Sequence, residues 1–240
     1  MRMLASVRDL HEARIVLDAG VDLIDLKQPA DGALGALAPQ IIRDVVEFVA
    51  GRVTTSATAG NIEPDAALLQ HAMARIAATG VDIVKAGLFP HGWASGSPLD
   101  YAGVRRCLAG LEALSGTQRI AVMFADLAPP LDLVDAVADA GFDGVMVDTA
   151  LKQGRSLCDA ATPEWLAAFV ARARGRGLLC GLAGSLRLAH VDRLAPLAPD
   201  YLGFRGALCE QAERGGRLDP EAVTRIRQRL TTLMQCVAAA

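Results

Sequence analysis

AGVDLIDLK (19–27), TGVDIVKAG (79–87) and AGFDGVMVD (140–148) are three versions of one phrase. Each reads Gly, one residue, Asp, then an apolar run rich in Val, Ile or Leu. A glycine there suits the left-handed residue that closes a helix, and the run after it has the length of a buried strand. A helix that hands over directly to such a strand is the joint of a βαβ unit, whose strands are parallel. Outward from these joints the same alternation fills the chain. Strands are expected at 3–7, 22–26, 53–58, 81–87, 119–125, 143–148, 178–184 and 200–206. Helices are expected at 9–19, 39–50, 64–79, 98 to about 114, 130–140, 163–175, 187–197 and 219–236. Eight units of about 30 residues predict a closed (β/α)8 TIM barrel, an α/β fold forming a single domain over 1–240. An open doubly wound sheet is the alternative, but no GxGxxG follows a strand, as a dinucleotide-binding sheet of that kind requires. The Gly-x-Asp repeat itself is read as structural.

Composition narrows the function classes. The net charge is −3 and the two signs are mixed along the chain, so no basic stripe offers a nucleic-acid surface. The Arg-rich stretch 171–177 reads as a solvated helix end. No apolar run approaches the ~18 residues of a membrane span, and the N-terminal MRMLASVRDLHEAR lacks the apolar core of a signal peptide. Five cysteines without a CxxC fit reduced thiols in a cytoplasmic protein. Four histidines without an HxH or HExxH pattern argue against zinc, and no metal is expected. Ala/Leu-rich helix faces allow a homo-oligomer without specifying one.

The chain carries 24 basic residues, of which only Lys27, Lys85 and Lys152 are lysines. Arg- and Ala-rich composition explains the scarcity. Placement is the signal, because each lysine lies at or just after a strand end. In a barrel, those ends form the mouth where reactive side chains gather. Asp25 and Lys27 sit two apart at the end of the second expected strand and share a face if the strand geometry persists. Lys85 ends the fourth strand, Asp126 follows the fifth, and Asp148 ends the sixth, with Lys152 four residues beyond. For any one of these the plain reading is a salt bridge or a solvated rim charge. Together they describe a site in which an amine, unlike an arginine, can lose its proton and attack a carbonyl. The resulting iminium is an electron sink for deprotonation or carbon–carbon bond formation, with a second lysine or a carboxylate moving protons. Gly184–Ser185 after the seventh strand and Arg205–Gly206 after the eighth are candidates for phosphate binding, the usual place for it in such barrels. Ser185 could equally be the N-cap of the following helix. His91 and Trp93 are read as anchors of the loop after the fourth strand, and Cys180 and Cys209 as small core residues.

DLIDLKQPADGALGA (22–36), TTSATAG (54–60), DIVKAGL (82–88), DTALKQGRSLCD (148–159), GLAGSL (181–186) and GFRGALC (203–209) together resemble the (5-formylfuran-3-yl)methyl phosphate synthase family. That family is also called 4-(hydroxymethyl)-2-furancarboxaldehyde-phosphate synthase. The combination DxKxPxxGxLGA, VDxVKxGL and DTAxKxG is specific, and the resemblance covers nearly the whole chain. It implies a (β/α)8 lyase that joins two molecules of glyceraldehyde 3-phosphate into a phosphorylated furan aldehyde for methanofuran-type cofactor biosynthesis. It implies that Lys27 forms the Schiff base and Lys85 accepts a proton, while Asp25, Asp148 and Lys152 match the family's other charged positions. No cofactor is expected, because the iminium supplies the electron sink. The segment HGWASGSP (91–98) and the stretch MFADLAPP (123–130) depart from the family pattern, which leaves Asp126 without an assigned role. Another sugar-phosphate aldolase or epimerase, and a silent barrel that binds a metabolite, are the competing readings.

Overall fold

The structure, a computed structural model, describes residues 1–151 and 154–238. Its strands are β1 (Arg2–Val7), β2 (Leu23–Leu26), β3 (Thr54–Thr58), β4 (Ile83–Gly87), β5 (Gln118–Phe124), β6 (Gly144–Asp148), β7 (Leu179–Leu182) and β8 (Tyr201–Phe204). All neighbours pair parallel in chain order, and β8 returns to β1, so the sheet closes into a barrel. The helices outside it are α1 (Leu10–Asp18), α2 (Pro39–Val49), α3 (Ala66–Ala77), α4 (Tyr101–Ala109), α5 (Leu133–Asp139), α6 (Leu157–Ala160), α7 (Pro163–Gly175), α8 (Leu188–Leu194) and α9 (Pro220–Ala238). No helix among the described residues is long and apolar enough to cross a membrane.

Two elements differ from the sequence expectation. Helix α4 stops at Ala109 rather than near 114, with Gly110 as its cap. There a Cβ would come within 3.0 Å of the Ala66 side chain, so the chain turns at the one residue that fits against α3. Helix α6 is an additional turn in the β6 loop. Its signal was Ser156 followed by Asp159, a capping box in which each side chain serves the other's backbone N–H.

The Gly-x-Asp phrase has a mechanical role. The carboxylates of Asp22, Asp82 and Asp143 accept the backbone N–H of Met3, Thr55 and Arg119, each at 2.7 Å. Asp200, ahead of β8, does the same for Cys180 at 2.7 Å. Each aspartate therefore precedes an even strand and pins the second residue of the odd strand before it. These charge-assisted bonds sit at the N-terminal end of the barrel and set the strand pairs in register there. The opposite end is left for chemistry.

Two apolar layers hold the barrel. Met3, Ala5, Ile24, Val84, Val145 and Leu202 face outward onto buried helix residues such as Val45, Met73 and Phe169. Leu4, Leu23, Ile83, Ile120, Val122, Met146 and Tyr201 fill the interior. Gly181 makes room for the Tyr201 ring, since a Cβ there would lie 2.3 Å from it. Each fully buried aliphatic side chain contributes about 1.5–3 kcal/mol. The interior is therefore a solid floor, and polar groups are confined to its C-terminal end.

Candidate active site

Three neighbouring strands place one row of polar residues at that end. Ser6 on β1, Asp25 on β2 and Ser56 on β3 are register partners. The Ser6 hydroxyl donates to one Asp25 oxygen at 2.9 Å, and Ser56 donates to the other at 2.8 Å. Lys85 Nζ reaches Asp25 Oδ1 at 2.5 Å from β4. Asp25 is fully buried and Lys85 is 2% exposed. Burial alone pushes the Asp25 carboxyl up. The Lys85 and Lys27 cations, with hydrogen bonds from Lys85 and Ser56, outweigh it and hold the group below the ordinary aspartate value.

Two residues beyond Lys85, β4 is covered at Gly87. A Cβ at Gly87 would lie 2.4 Å from the Phe89 ring and 2.7 Å from Leu34, so these two side chains close over β4 at that glycine. Phe89 stacks on Phe124 with centroids 4.2 Å apart and touches Trp93 at 4.5 Å. The loop after β4 is thus an aromatic plug, and Trp93 anchors it as expected. His91 pairs with Glu63 at 3.1 Å on the surface.

Lys27 stands one turn of the strand higher. Its Nζ lies 4.0 Å from Asp148 Oδ2, across from β6, and Asp148 Oδ1 accepts the Thr149 N–H at 2.6 Å. The Gly-rich loop that follows Lys27 folds back on itself, with Gln28 N–H donating to Gly35 O at 2.8 Å. Gly35 has to be glycine, because a Cβ would lie 2.4 Å from the Gln28 carbonyl. Thr58 Oγ1 also donates to Gly35 O, at 2.8 Å, which ties the loop to β3. Asp126 now has a place. Its two oxygens accept the N–H groups of Ala150 and Leu151, each at 2.8 Å, so it shapes the chain leaving Asp148. Lys152 lies outside the described residues.

A cavity of about 230 Å³ opens beside Lys27. Among the residues named from sequence, Asp25, Lys27, Asp148, Gly184, Ser185, Arg205 and Gly206 line it. Lys85 does not, because it lies behind Asp25. Ser6, Arg187 and Arg214 also line it and were not singled out from sequence. Ser6 and Ser56 left a faint signal, a hydroxyl in line with Asp25 by strand alternation. Arg214 left none, since it sits in an irregular loop.

One expectation is corrected, and a second meets donors already engaged. Ser185 does not cap a helix. It has a left-handed φ of 48°, and α8 begins only at Leu188. Arg205 was expected to hold phosphate, yet its five N–H donors are engaged within the protein. Nε donates to Arg214 O at 2.9 Å, Nη1 to Ser6 O at 3.2 Å and to Glu12, and Nη2 to Glu12 at 3.1 Å and Gly216 O at 3.1 Å. Glu12 is 2% exposed, and turning Arg205 toward a ligand would leave that buried carboxylate with Arg8 as its remaining cation. Sequence reading missed Glu12 because it lies on α1, far from any strand end. Burial pushes the Cys180 thiol up to about 12 and Cys107 up to about 11, so neither is a thiolate nucleophile near neutral pH. No cluster of metal-binding side chains occurs among the described residues.

Comparison with known proteins follows the same lines. The sequence profile of 4-HFC-P synthase matches residues 3–227. The chain belongs to the 4-HFC-P synthase family. Within the family it is 32% identical over 245 residues to the (5-formylfuran-3-yl)methyl phosphate synthase of Methanocaldococcus jannaschii, covering 95% of this chain and 99% of that one. It is 35% identical over 233 residues to the synthase of the same name from Archaeoglobus fulgidus, covering 94% and 97%. A Methylorubrum extorquens protein provisionally given that name is 44% identical over 218 residues, covering 91% and 86%. Among solved structures, phosphoribosyl anthranilate isomerase from Thermus thermophilus superposes with a TM-score of 0.65 at 16% identity, covering 97% of this chain and 100% of that one. 3-Hexulose-6-phosphate synthase from Salmonella typhimurium gives 0.64 at 18%, covering 95% and 99%. At such identities these two share the barrel with the 4-HFC-P synthase family member, and only the barrel.

Proposed function

We propose that this chain is a (5-formylfuran-3-yl)methyl phosphate synthase, a lyase that condenses two molecules of glyceraldehyde 3-phosphate through a Schiff base on Lys27. The observation that supports it is the division of labour among four buried charges. Asp25 balances the buried Lys85 at 2.5 Å, while Lys27 faces the cavity with Asp148 at 4.0 Å.

In this reading the Lys27 amine adds to the aldehyde carbon and water leaves, giving an iminium. The iminium draws electrons from the neighbouring C–H bond. That step prepares both bond formation to the second aldehyde and expulsion of phosphate from the adjacent carbon. Asp148 is in reach to receive and return protons at Lys27 Nζ. Lys85 exchanges protons with the reacting centre through the Asp25 carboxylate rather than by contact. One phosphate and, in net, two waters are lost in forming the furan, one phosphate stays, and hydrolysis of the final imine releases the aldehyde and frees Lys27. The Gly184–Ser185 and Gly206 backbone bounds the space for the retained group. The product would feed methanofuran-type cofactor synthesis.

Incubation with glyceraldehyde 3-phosphate alone, followed by product mass and inorganic phosphate assay, tests the reaction. A furan aldehyde phosphate with release of phosphate is expected. An open-chain sugar phosphate would make the protein an aldolase instead. Borohydride added during turnover should attach substrate carbon to Lys27, and an unlabelled Lys27 would overturn the covalent step.

A further inference from the structure

The loop between β8 and α9 is held with unusual care. Three consecutive carbonyls, those of Arg214, Gly215 and Gly216, each accept a hydrogen bond from a guanidinium. Arg205 Nε takes the first at 2.9 Å, Arg8 Nη1 the second at 2.9 Å and Arg205 Nη2 the third at 3.1 Å. Both guanidiniums rest on the same buried carboxylate, since Arg8 Nε lies 3.1 Å from Glu12 Oε1 and Arg205 is paired with Glu12 through both η nitrogens. Such a scaffold around an irregular segment fixes whatever that segment presents.

It presents Arg214. This side chain crosses the mouth, lines the cavity, and donates from Nη2 to Gly32 O at 2.8 Å in the loop that follows Lys27. Among the described residues that is the single hydrogen bond its guanidinium gives. Arg205, by contrast, has its five donors engaged. Arg187 also lines the cavity, but its side chain is exposed at the rim. A half-buried guanidinium with unused donors, rigidly mounted and facing a cavity of about 230 Å³, suits a dianionic phosphate monoester.

We propose that Arg214 binds the phosphate of the phosphorylated aldehyde substrate, and that Glu12, Arg205 and Arg8 are the positioning residues that hold it there. The proposal rests on the synthase reading above for the identity of that substrate. Because Arg214 also holds Gly32, it ties phosphate recognition to the loop that carries Lys27.

Steady-state kinetics with glyceraldehyde 3-phosphate, inhibition by inorganic phosphate and thermal melting are measured on the wild type, Arg214→Gln, Arg214→Lys and Arg205→Lys. Arg214→Gln should raise KM on the order of 10–100-fold, as loss of charged hydrogen bonds does, with kcat changed far less. Inhibition by inorganic phosphate should weaken in parallel and Tm should hold. Arg214→Lys should recover part of the KM. Arg205→Lys should raise KM and lower Tm together, because it loosens the mount. Unchanged KM and phosphate inhibition in Arg214→Gln, beside an active wild type, would overturn the proposal. If the wild type does not turn over this substrate, the synthase reading fails by itself. Calorimetric titration with inorganic phosphate then decides the site: binding lost in Arg214→Gln supports it, and binding equal to the wild type, or no binding by the wild type, overturns it.

Discussion

Two lysine–carboxylate pairs share one barrel mouth, and they are built to opposite purposes. Lys85 and Asp25 are in contact at 2.5 Å, with side chains 2% and 0% exposed. Lys27 and Asp148 stand 4.0 Å apart on the cavity wall, with side chains 9% and 4% exposed. Two serines complete the inner pair through Asp25, so its charges are matched and hydrogen-bonded without solvent. A buried pair is held that tightly only when its polar atoms are satisfied, and it then resists change. The outer pair is wider, and both of its members line the cavity. The lesson is that a lysine's value at a barrel mouth depends on what covers it. Lys85 pairs with Asp25 and does not line the cavity, whereas Lys27 does.

Breaking the outer pair should have the largest effect. Lys27→Ala is expected to lower turnover on the order of 10⁴-fold or more, with a smaller fall in melting temperature than breaking the inner pair brings. Retained activity would show that the open amine is not the nucleophile. Breaking the inner pair should act on stability first. Asp25→Asn leaves Lys85 buried against a neutral group, at a cost of about 3–5 kcal/mol. Melting should fall on the order of 10 °C for a chain of this size.

That second variant also carries a pH signature. The folded Asp25 carboxyl is held below its ordinary value of 3.8. Its share of stability is therefore fully present above about pH 4 and is lost as pH falls through the lower folded value. The stability gap between wild type and Asp25→Asn should stay level above pH 5 and narrow only in strong acid. A gap that closes nearer neutrality would mean that Asp25 is not ionised in the folded protein.

The smallest change sharpens the contrast from outside both pairs. Asp126→Asn weakens the two bonds at 2.8 Å that shape the Ala150–Leu151 turn beyond Asp148. It should cost about 1.5–3 kcal/mol at most and reduce kcat about tenfold, with the carboxyl titration of Asp25 unmoved. An equal disturbance of Asp25 in carbon-detected NMR would show that the two pairs are not independent.

Much of this arrangement was legible in the chain. Alternation of strand and helix is a local pattern, and the Gly-x-Asp phrase marked the joints because both residues answer local needs: a left-handed helix end and an acceptor for the neighbouring strand. The strand-end rule then selected Asp25, Lys27, Lys85 and Asp148 together. The chain was least legible where a side chain's partners come from distant segments. Arg205 read as a phosphate ligand because its position is right. Glu12, 193 residues away in sequence, takes its guanidinium. Ser185 read as a helix cap because it stands just ahead of the helix expected from 187, but that helix starts at Leu188 with Arg187 at its N-cap.

The sequence by itself determined the eight-unit barrel, the family and the strand-end charges, because these follow from periodicity and from residues fixed at short spacing. Tertiary structure alone decided which lysine pairs with Asp25 and which lines the cavity, and which arginine has all its donors engaged. Those distinctions depend on burial and on how many donors are already satisfied. Both are set by atoms brought together from across the chain, and no local pattern records them.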